Sequence, residues 1–371
     1  MSLTAMRVWL AAAPWPRLAL TYGLALIGGG IAQALGLPLA WMLGPFFVCG
    51  AAAALGAELA TVPYSRQLGQ LTVGLAIGLR VGPSTLVAML SLLPAMLAST
   101  VYVMVYTMIA AMLFRPLAGV NATTAFFATA AGGMADMANV AGQRGGDRAA
   151  VGIVHAIRVS TTVAVVPFLV IAFGAPGTLP NGDIVTAQSL IWLTLAFALA
   201  FPAVSLLRRT TLPNPWLLAP MLVGLMLSLS GMLVLRMPPL LITLAQLMIG
   251  AWLGSQFQRN VLARLPRVSL AGAGITLFMI AAAYGGALCL SLATDLPITT
   301  AFLALAPAAM TEMALTAKAM HLDVEIVTAF HVTRIFLVCS TILFVFRLYG
   351  RLAGTVLPDE LKEQDIADRT P

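Results

Sequence analysis

The feature that constrains this chain most is a series of apolar runs, each about as long as a membrane-crossing helix. A helix needs about 20 apolar residues to cross the ~30 Å hydrocarbon core of a bilayer. Four shorter or more polar runs, at 67–79, 122–141, 239–255 and 297–317, alternate with eight long ones, at 18–36, 39–57, 84–113, 149–173, 187–207, 215–235, 268–293 and 325–346. Barrel strands would instead alternate apolar and polar residues. The sequence therefore predicts an all-α polytopic membrane protein with 10–12 transmembrane segments.

The basic charge balance of the chain does not indicate nucleic-acid binding. The net charge is +7, but charged residues make up only 9% of the chain, and the arginines occur singly or in small groups between apolar runs. This is the ordinary pattern of loops retained on the cytoplasmic side of a membrane. We expect the lipid bilayer of the cell (inner) membrane as the surroundings of the chain, and no direct nucleic-acid partner.

The second half of the chain repeats the first at an offset of 175 to 176 residues. Internal repetition of this length indicates a duplicated structural unit. We predict membrane repeats at 18–175 and 187–350, a connecting loop at 176–186, an N-terminal tail at 1–17 and an acidic C-terminal tail at 351–371. Matched elements are Trp41 and Trp216, Pro45 and Pro220, Pro63 and Pro239, Gln70 and Gln246, and the segments 123–126 and 299–302.

Each repeat also carries two glycines four residues apart, Gly74 and Gly78 in the first and Gly250 and Gly254 in the second. This spacing lets two membrane helices approach closely. We expect these glycines to pack helices rather than to contact a ligand.

The distribution of basic residues predicts how the repeats are oriented. If all six segments of each repeat crossed, the 18 Lys and Arg residues outside the membrane would divide nine to each side. If the acid-bearing segment is broken or re-entrant and makes no net crossing, the division is 15 to 3; if 67–79 and 239–255 are the non-crossing segments, it is 12 to 6. The positive-inside tendency favours the division of 15 to 3. We therefore predict two inverted repeats of about five crossings plus a broken or re-entrant segment each, as in many secondary transporters.

Two predicted helices place a His and an Arg deep in the membrane, His155 with Arg158 and His331 with Arg334. An Asp precedes each helix, at 147 and 323, and is expected to cap its N-terminus. Counted from that Asp at 1.5 Å per residue, the His lies about 12 Å and the Arg about 16 Å along the helix, near mid-membrane. Residues three apart share one helix face, so this polar face must point into the protein.

Two acids, Asp136 and Glu312, occupy equivalent positions in the repeats at a similar depth. A guanidinium at mid-membrane costs several kcal/mol unless it is paired or hydrated. Two interpretations stay open: an Arg–acid ion pair in each half that sets helix register, or one central cavity lined by both acids and both His and Arg faces.

The residues next to the acids favour the cavity. Gly132 and Gly133 precede the first acid and Pro307 precedes the second, and these residues weaken helix continuity. Helices broken at mid-membrane expose ends that bind ions and anionic groups.

Around the acids the chain resembles the AbrB-type membrane protein family, whose duplicated domain carries a Pro-Gly-Gly-x-x-Glu-Met motif. The first copy, Ala-Gly-Gly-Met-Ala-Asp-Met at 131–137, lacks the proline and has Asp for Glu; the second, Pro-Ala-Ala-Met-Thr-Glu-Met at 307–313, lacks the glycines. The resemblance covers about residues 20–348. It implies a layout similar to the cation/proton antiporter and bile-acid symporter superfamily, with inverted repeats and crossed broken helices. Members of the family are often labelled transcriptional regulators or putative ammonia monooxygenases.

Neither of those labels follows from the residues. A regulator that binds DNA needs a basic, water-accessible module, whereas the C-terminal tail is mostly acidic and would repel phosphate. An oxygenase needs iron or copper, but the chain has three histidines, with His321 in a predicted loop and an Arg beside each of the other two. Cys49, Cys289 and Cys339 show no metal, haem or disulfide spacing. We predict no enzymatic activity, no catalytic residues, no metal and no cofactor.

The leading hypothesis is a secondary transporter for a small organic, anionic solute. Asp136 and Glu312 would bind a proton or small cation, Arg158 and Arg334 would hold a substrate carboxylate, and the two histidines would hydrogen-bond or relay protons. Any effect on gene expression would be indirect. A membrane-associated regulator without transport stays as the alternative, ahead of a membrane metal oxygenase. Substrate identity, transport direction, coupling ion and oligomeric state, a homo-oligomer included, are not in the sequence.

Overall fold

The computed structural model describes residues 14–173, 187–210, 214–230, 237–257 and 265–353, so the predicted connecting loop and nearly all of both predicted tails lie outside the described residues. Every regular element in these ranges is an α-helix. In chain order they are α1 Trp15–Ala34, α2 Ala40–Ala54, α3 Ser65–Gly78, α4 Pro83–Ser91, α5 Leu93–Ala118, α6 Ala122–Thr129, α7 Met134–Gln143, α8 Arg148–Phe173, α9 Ala187–Leu207, α10 Pro215–Leu229, α11 Pro239–Ser255, α12 Pro266–Thr294, α13 Ile298–Leu305, α14 Met310–Ala319 and α15 Val324–Leu352.

Four of these helices, α5, α8, α12 and α15, are long and apolar enough to cross a membrane by themselves. Shorter apolar helices accompany them: α2, the part of α9 from Ile191 to Leu207, α10 and α11. Large apolar side chains are exposed along the long helices, for example Val101 at 53% and Phe344 at 72%, as expected for surfaces that face lipid. These findings confirm the prediction of an all-α polytopic membrane protein.

Equivalent helices of the two repeats run in opposite directions. The end of α5 meets the start of α12, where Arg267 Nε donates to the Leu117 carbonyl at 2.8 Å. Earlier in α5, Tyr102 donates to the carbonyl of Ala282, farther along α12, at 2.8 Å. The equivalent helices α3 and α11 are antiparallel in the same way, and Ser65 at the start of α3 donates to the Met248 carbonyl at 3.2 Å. The repeats are therefore inverted, as predicted.

The paired glycines lie where helices of different repeats run side by side. Helix α3 packs parallel to α10, and α11 packs parallel to α2. At each of the four glycines, a Cβ atom would overlap the backbone oxygen of the neighbouring helix, so only glycine permits this approach. The facing pairs are Gly74 with Leu217, Gly78 with Met221, Gly250 with Met42 and Gly254 with Phe46.

The acid-bearing segment of the first repeat is a hairpin that enters and leaves the membrane on one side. Its entrance and exit are joined by the Asn121 side-chain amide, which donates to the Gly145 carbonyl at 2.8 Å. Helix α6 runs in the same direction as α8, because the Phe127 carbonyl contacts His155 and the Ala130 carbonyl contacts Arg158. Helix α7 returns antiparallel to both. We call α6 and α7, with residues 130–133 between them, the first hairpin.

The second repeat forms an equivalent hairpin from α13, α14 and residues 306–309. Helix α13 runs parallel to α15, since the Leu303 carbonyl contacts His331 and the Ala306 carbonyl contacts Arg334. A short connection at 320–323 joins α14 to α15, so α14 runs back along them. Both acid-bearing segments are therefore re-entrant. The alternative that 67–79 and 239–255 fail to cross is wrong, and the hairpins differ from the crossed broken helices that the family resemblance implied.

Following the helices from α1 assigns each helix end to one of two faces. We call the face where α1 begins the N-side and the other the far side; the first hairpin enters from the N-side and the second from the far side. Basic residues follow this division. Those at N-side ends are Arg17, Arg66, Arg115, Arg144, Arg148, Arg208, Arg209, Arg267, Arg347 and Arg351, whereas Arg80 and Lys318 lie toward the far side. The basic residues of the described ranges are thus concentrated on the N-side, as predicted for acid-bearing segments that make no net crossing.

Candidate functional site

The tips of the two hairpins have nearly the same backbone conformation. The residue that follows α6, Ala130, has φ −55° and ψ 141°, and the residue that follows α13, Ala306, has φ −54° and ψ 140°. The tips end at Gly133 and Ala309, which are extended and immediately precede α7 and α14. The predicted helix-breaking residues Gly132, Gly133 and Pro307 all lie in these tips. Each tip presents the carbonyls of one helix end and the free N–H groups of another.

Arg158 binds the carbonyl end of the first tip. Its Nη1 donates to the carbonyls of Thr129 at 3.0 Å and Ala130 at 2.8 Å. A cation at this position compensates the partial negative charge of the α6 C-terminus.

Arg334 does the same at the second tip. Nη1 donates to the Ala306 carbonyl at 2.9 Å, and Nη2 donates to the Ala308 carbonyl at 3.0 Å. No described carboxylate lies within ion-pair distance of either arginine. The interpretation as an Arg–acid ion pair in each half is therefore wrong, because the two arginines fix the hairpin tips instead.

The two histidines hold these arginines in place and use both ring nitrogens to do so. Arg158 Nη2 lies 2.9 Å from His155 Nδ1, and His155 Nε2 lies 2.9 Å from the Phe127 carbonyl. A guanidinium only donates, so Nδ1 accepts and the ring proton is on Nε2, which donates to the carbonyl. Both ring nitrogens of His155 are therefore engaged in hydrogen bonds.

His331 repeats the arrangement, with its Nδ1 2.6 Å from Arg334 Nη2 and its Nε2 2.9 Å from the Leu303 carbonyl. His331 is fully buried. Both histidines therefore position an arginine through hydrogen bonds, which is one of the two roles expected of them.

The two acids, although equivalent in sequence, differ in surroundings. Asp136 is exposed in the first turn of α7, and its carboxylate lies over Gly133 at the tip. Glu312, in the first turn of α14, is 1% exposed, and its Oε2 has no hydrogen-bond partner among the described residues. Arg66 is the cation that interacts electrostatically with Glu312, although the two side chains lie beyond ion-pair distance.

Both tips line a single cavity of about 280 Å³. Of the six residues predicted to bind substrate or ion, Asp136, His155, Arg158 and Arg334 are in its wall, whereas Glu312 and His331 are not. The predicted helix-breaking residues Gly132, Gly133 and Pro307 also line it. The cavity extends toward the N-side, where α3 and α10 begin. Its polar and aromatic lining also includes Arg66, Gln67, Gln70, Asn214 and Trp216, which were not predicted as site residues.

The unpredicted residues come mainly from the first turns of α3. Arg66 stacks over Trp252, with its Cζ 4.5 Å from the ring centroid. Gln70 Nε2 donates to Thr311 Oγ1 at 3.4 Å, next to Glu312, so α3 is linked to the second hairpin. Gln70 has a repeat counterpart that could have drawn attention to it, but Arg66 corresponds to an isoleucine and Gln67 to a threonine. Repetition therefore gave no indication of these two positions.

A second cavity, of about 550 Å³, opens at the far side. Its wall includes Lys318, His321 and the ion pair between Arg80 Nε and Glu325 Oε1 at 3.6 Å. The two cavities are separated by α14 between Met310 and Lys318, which is about 12 Å of helix. Side chains of α3, α14 and α15 pack together in this barrier, where a void of about 10 Å³ is lined mainly by apolar residues.

The two predicted N-caps behave differently. Asp147 Oδ1 accepts from the backbone N–H groups of Ala149 at 2.8 Å and Ala150 at 3.1 Å, so this prediction is confirmed. Asp323 makes no side-chain capping bond, so the prediction is wrong there. Within the described ranges, no group of three or more His, Cys, Asp or Glu side chains is arranged to hold a metal ion.

Comparison with known proteins agrees with the architecture. The chain is 27% identical over 355 residues to the uncharacterized protein YhjN of Bacillus subtilis (strain 168), and the match covers 88% of this chain and 91% of that protein. The family model described as "Transition state regulatory protein AbrB" matches residues 41–350. With two inverted repeats, two re-entrant hairpins and this match over most of its length, the chain belongs to the AbrB family.

Proposed function

We propose that this protein is a secondary transporter of the cell inner membrane that carries a small organic anion together with a proton or small cation. The observation that supports this most is the meeting of the two inverted hairpin tips, one entering from each side, in the wall of one cavity. Secondary transporters with inverted repeats bind their solutes at the interface of the repeats, where half-helix ends face the solute.

The charges around the cavity favour an anion. Arg66, Arg158 and Arg334 line it, and Asp136 is the acid in its wall. Helices α7 and α14 begin at the cavity, and neither has a side-chain cap at its N-terminus. A helix N-terminus carries about half a positive charge, which attracts carboxylates, and Asp136 and Glu312 lie in the first turns of these two helices.

Glu312 is suited to bind the coupling ion. A buried carboxylate with one oxygen left without a hydrogen-bond partner is costly, and binding a proton or a cation relieves that cost. The side chain lies behind the tip of the second hairpin, next to Thr311, which accepts from Gln70. A change of charge at Glu312 would therefore act directly on a wall of the solute cavity.

The two cavities support alternating access. In this conformation the solute cavity extends to the N-side, and the apolar barrier along α14 separates it from the far-side cavity. The basic N-side faces the cytoplasm by the positive-inside rule, so this conformation is the one open to the cytoplasm. Transport requires the second hairpin to move relative to α3, opening the barrier while the N-side closes.

An effect on gene expression would be indirect, through the transported solute. The family description names a regulatory protein, but the cavity lies among helices of the membrane region and is too small to admit DNA.

The test is solute flux into proteoliposomes under an imposed pH or Na⁺ gradient. A defined mixture of organic anions, neutral metabolites and amino acids is supplied, and uptake is measured by mass spectrometry. We expect gradient-driven uptake of one or more anions, and loss of the gradient dependence in Glu312→Gln. The same gradient dependence in Asp136→Asn and Glu312→Gln as in the unaltered protein, with folding intact, would reject the site; uptake of no solute would reject transport.

A further inference from the structure

Resting on the proposed function, we infer that the substrate is a small dianion with two separated carboxylates, one held at each hairpin tip. Three observations lead to this substrate class: the number of arginines without ionic partners, the presence of two equivalent helix N-termini, and the size of the cavity.

The arginines of the cavity wall lack the anions that buried arginines require. Arg158 and Arg334 are each 5% exposed, and both line the same cavity. Their hydrogen bonds go to backbone carbonyls, which carry only partial charge, and the Nε atoms of both side chains have no partner within the described residues. Nε of Arg66 is also unpartnered. Buried charges of this kind are normally compensated by an opposite charge.

The balance of formal charge sets the charge of the ligand. Three arginines and one aspartate line the cavity, which leaves a formal charge of +2 when Glu312 behind the wall is protonated. A dianion neutralises this charge, whereas a monocarboxylate leaves one guanidinium uncompensated in a low-dielectric site. Ionised Glu312 would reduce the balance to +1, so binding of the dianion favours protonation of Glu312.

The two helix N-termini determine where the negative charges should lie. Gly133 and Met134 of the first hairpin and Ala309 and Met310 of the second all line the cavity. The two ends come from different repeats and approach the cavity from opposite faces, so they present two separate anion sites rather than one. Two carboxylates on a short carbon chain match this arrangement, whereas inorganic sulfate concentrates its charge on one centre.

The cavity volume limits the length of that chain. At about 280 Å³ it lies at the lower end of the range for small-molecule sites. This size suits a dicarboxylate of a few carbons and excludes large conjugated anions. Arg66 has no counterpart in the second repeat, so we assign to it the selection of the second carboxylate, by a charge-assisted bond that a monocarboxylate cannot form.

The test is uptake into proteoliposomes of straight-chain dicarboxylates of three to six carbons, each compared with the monocarboxylate of equal length, with inorganic sulfate as a separate arm. We expect uptake of at least one dicarboxylate with an apparent affinity 10- to 100-fold higher than that of its monocarboxylate, the factor that corresponds to one charge-assisted hydrogen bond. Arg66→Gln should reduce that ratio to near one, mainly by weakening the dicarboxylate. Arg208→Gln, an exposed N-side residue away from the cavity, should keep the ratio unchanged.

The outcomes separate this inference from the proposed function. Equal uptake of monocarboxylates and dicarboxylates, or uptake of sulfate alone, would overturn the dicarboxylate assignment while transport of anions stands. Gradient-driven uptake of other anions with no uptake from this panel would also overturn it. Uptake of no solute in any arm would overturn both. An Arg66→Gln protein that folds and still prefers dicarboxylates to monocarboxylates would show that Arg66 does not select the second carboxylate. Its melting temperature and gel-filtration profile show whether it folds.

Discussion

The difference between Glu312 and Asp136 gives the sharpest prediction for coupling. Glu312 is 1% exposed with an unpartnered oxygen, whereas Asp136 is exposed to the cavity. We therefore expect one coupling proton per cycle, carried by Glu312. Glu312→Gln has nearly the same shape and cannot ionise, so it should remove the coupling and leave the fold intact.

The magnitude follows from linkage. If one proton binds with each solute, the apparent affinity falls about tenfold for each unit of pH in the range where Glu312 is ionised before the solute binds, which is 1.4 kcal/mol per unit. In Glu312→Gln the affinity should be independent of pH over the same range. Asp136→Asn should shift the affinity but keep the slope, because the proton-binding side chain is still present.

Initial rates of solute uptake into proteoliposomes, measured from pH 5 to pH 9 with equal pH on both sides, give the apparent affinity at each pH. Melting temperatures of the purified variants establish that the folds are comparable. A Glu312→Gln protein that retains the tenfold slope would refute the assignment of the coupling proton to Glu312. Loss of the slope in Asp136→Asn instead would move the assignment to Asp136.

Three further predictions concern packing, the hairpin tips and the far-side barrier. Gly250→Ala should lower stability by about 1–3 kcal/mol because the added methyl overlaps a neighbouring backbone, whereas Gly30→Ala, with open space around it, should be neutral or stabilising; melting temperatures in detergent compare the two. Arg334→Lys should destabilise the protein by about 2 kcal/mol, since one ammonium cannot replace a guanidinium that bonds two carbonyls and a histidine; unchanged thermal unfolding would contradict this role. Glu325→Gln removes the ion pair with Arg80. It should shift the equilibrium between the two conformations toward the far-side-open one by up to about fivefold, which is the effect of losing a partly exposed ion pair. The rate at which a thiol in the far-side cavity is labelled from the far side should rise, and an unchanged rate would contradict the prediction.

Much of the architecture could be predicted because duplication constrains a membrane protein strongly. The offset of 176 residues paired Gly74 with Gly250 and Asp136 with Glu312, and the count of basic residues favoured a segment without a net crossing in each repeat. Both arguments use only chain order and the cost of charge in lipid. The inverted repeats and the re-entrant hairpins follow from them.

The contacts within the site could not be predicted in the same way. Spacing places His155 and Arg158 on one helix face, but it does not tell whether the arginine bonds an acid or a backbone carbonyl. That choice depends on the tip of the first hairpin, whose carbonyls are free only because α6 ends at Thr129. The sequence therefore could not show that backbone carbonyls, rather than acidic side chains, accept from these arginines.

The repeat alignment also could not predict the differences between the two repeats. The same alignment that identified the acids treats them as equivalent, yet Glu312 is buried and Asp136 is exposed. Arg66 was missed because it occurs in one repeat only. A comparison of repeats does not identify residues that differ between the two halves of a duplicated chain. Here such residues include Glu312, to which we assign coupling, and Arg66, to which we assign selectivity.

The central claim is that the tip of the second hairpin, which enters from the far side, reaches a cavity open to the N-side. Thiol labelling tests it most directly, in a protein with Cys49, Cys289 and Cys339 replaced by alanine. A single cysteine is introduced at Ala309, in the tip, or at Ala319, in the wall of the far-side cavity on the same hairpin. A membrane-impermeant maleimide is then applied from one side at a time.

We predict that Ala309→Cys reacts faster from the N-side, although both ends of its hairpin lie at the far side, and that Ala319→Cys reacts from the far side alone. Labelling of Ala309→Cys only from the far side, in protein that is folded, would contradict the account.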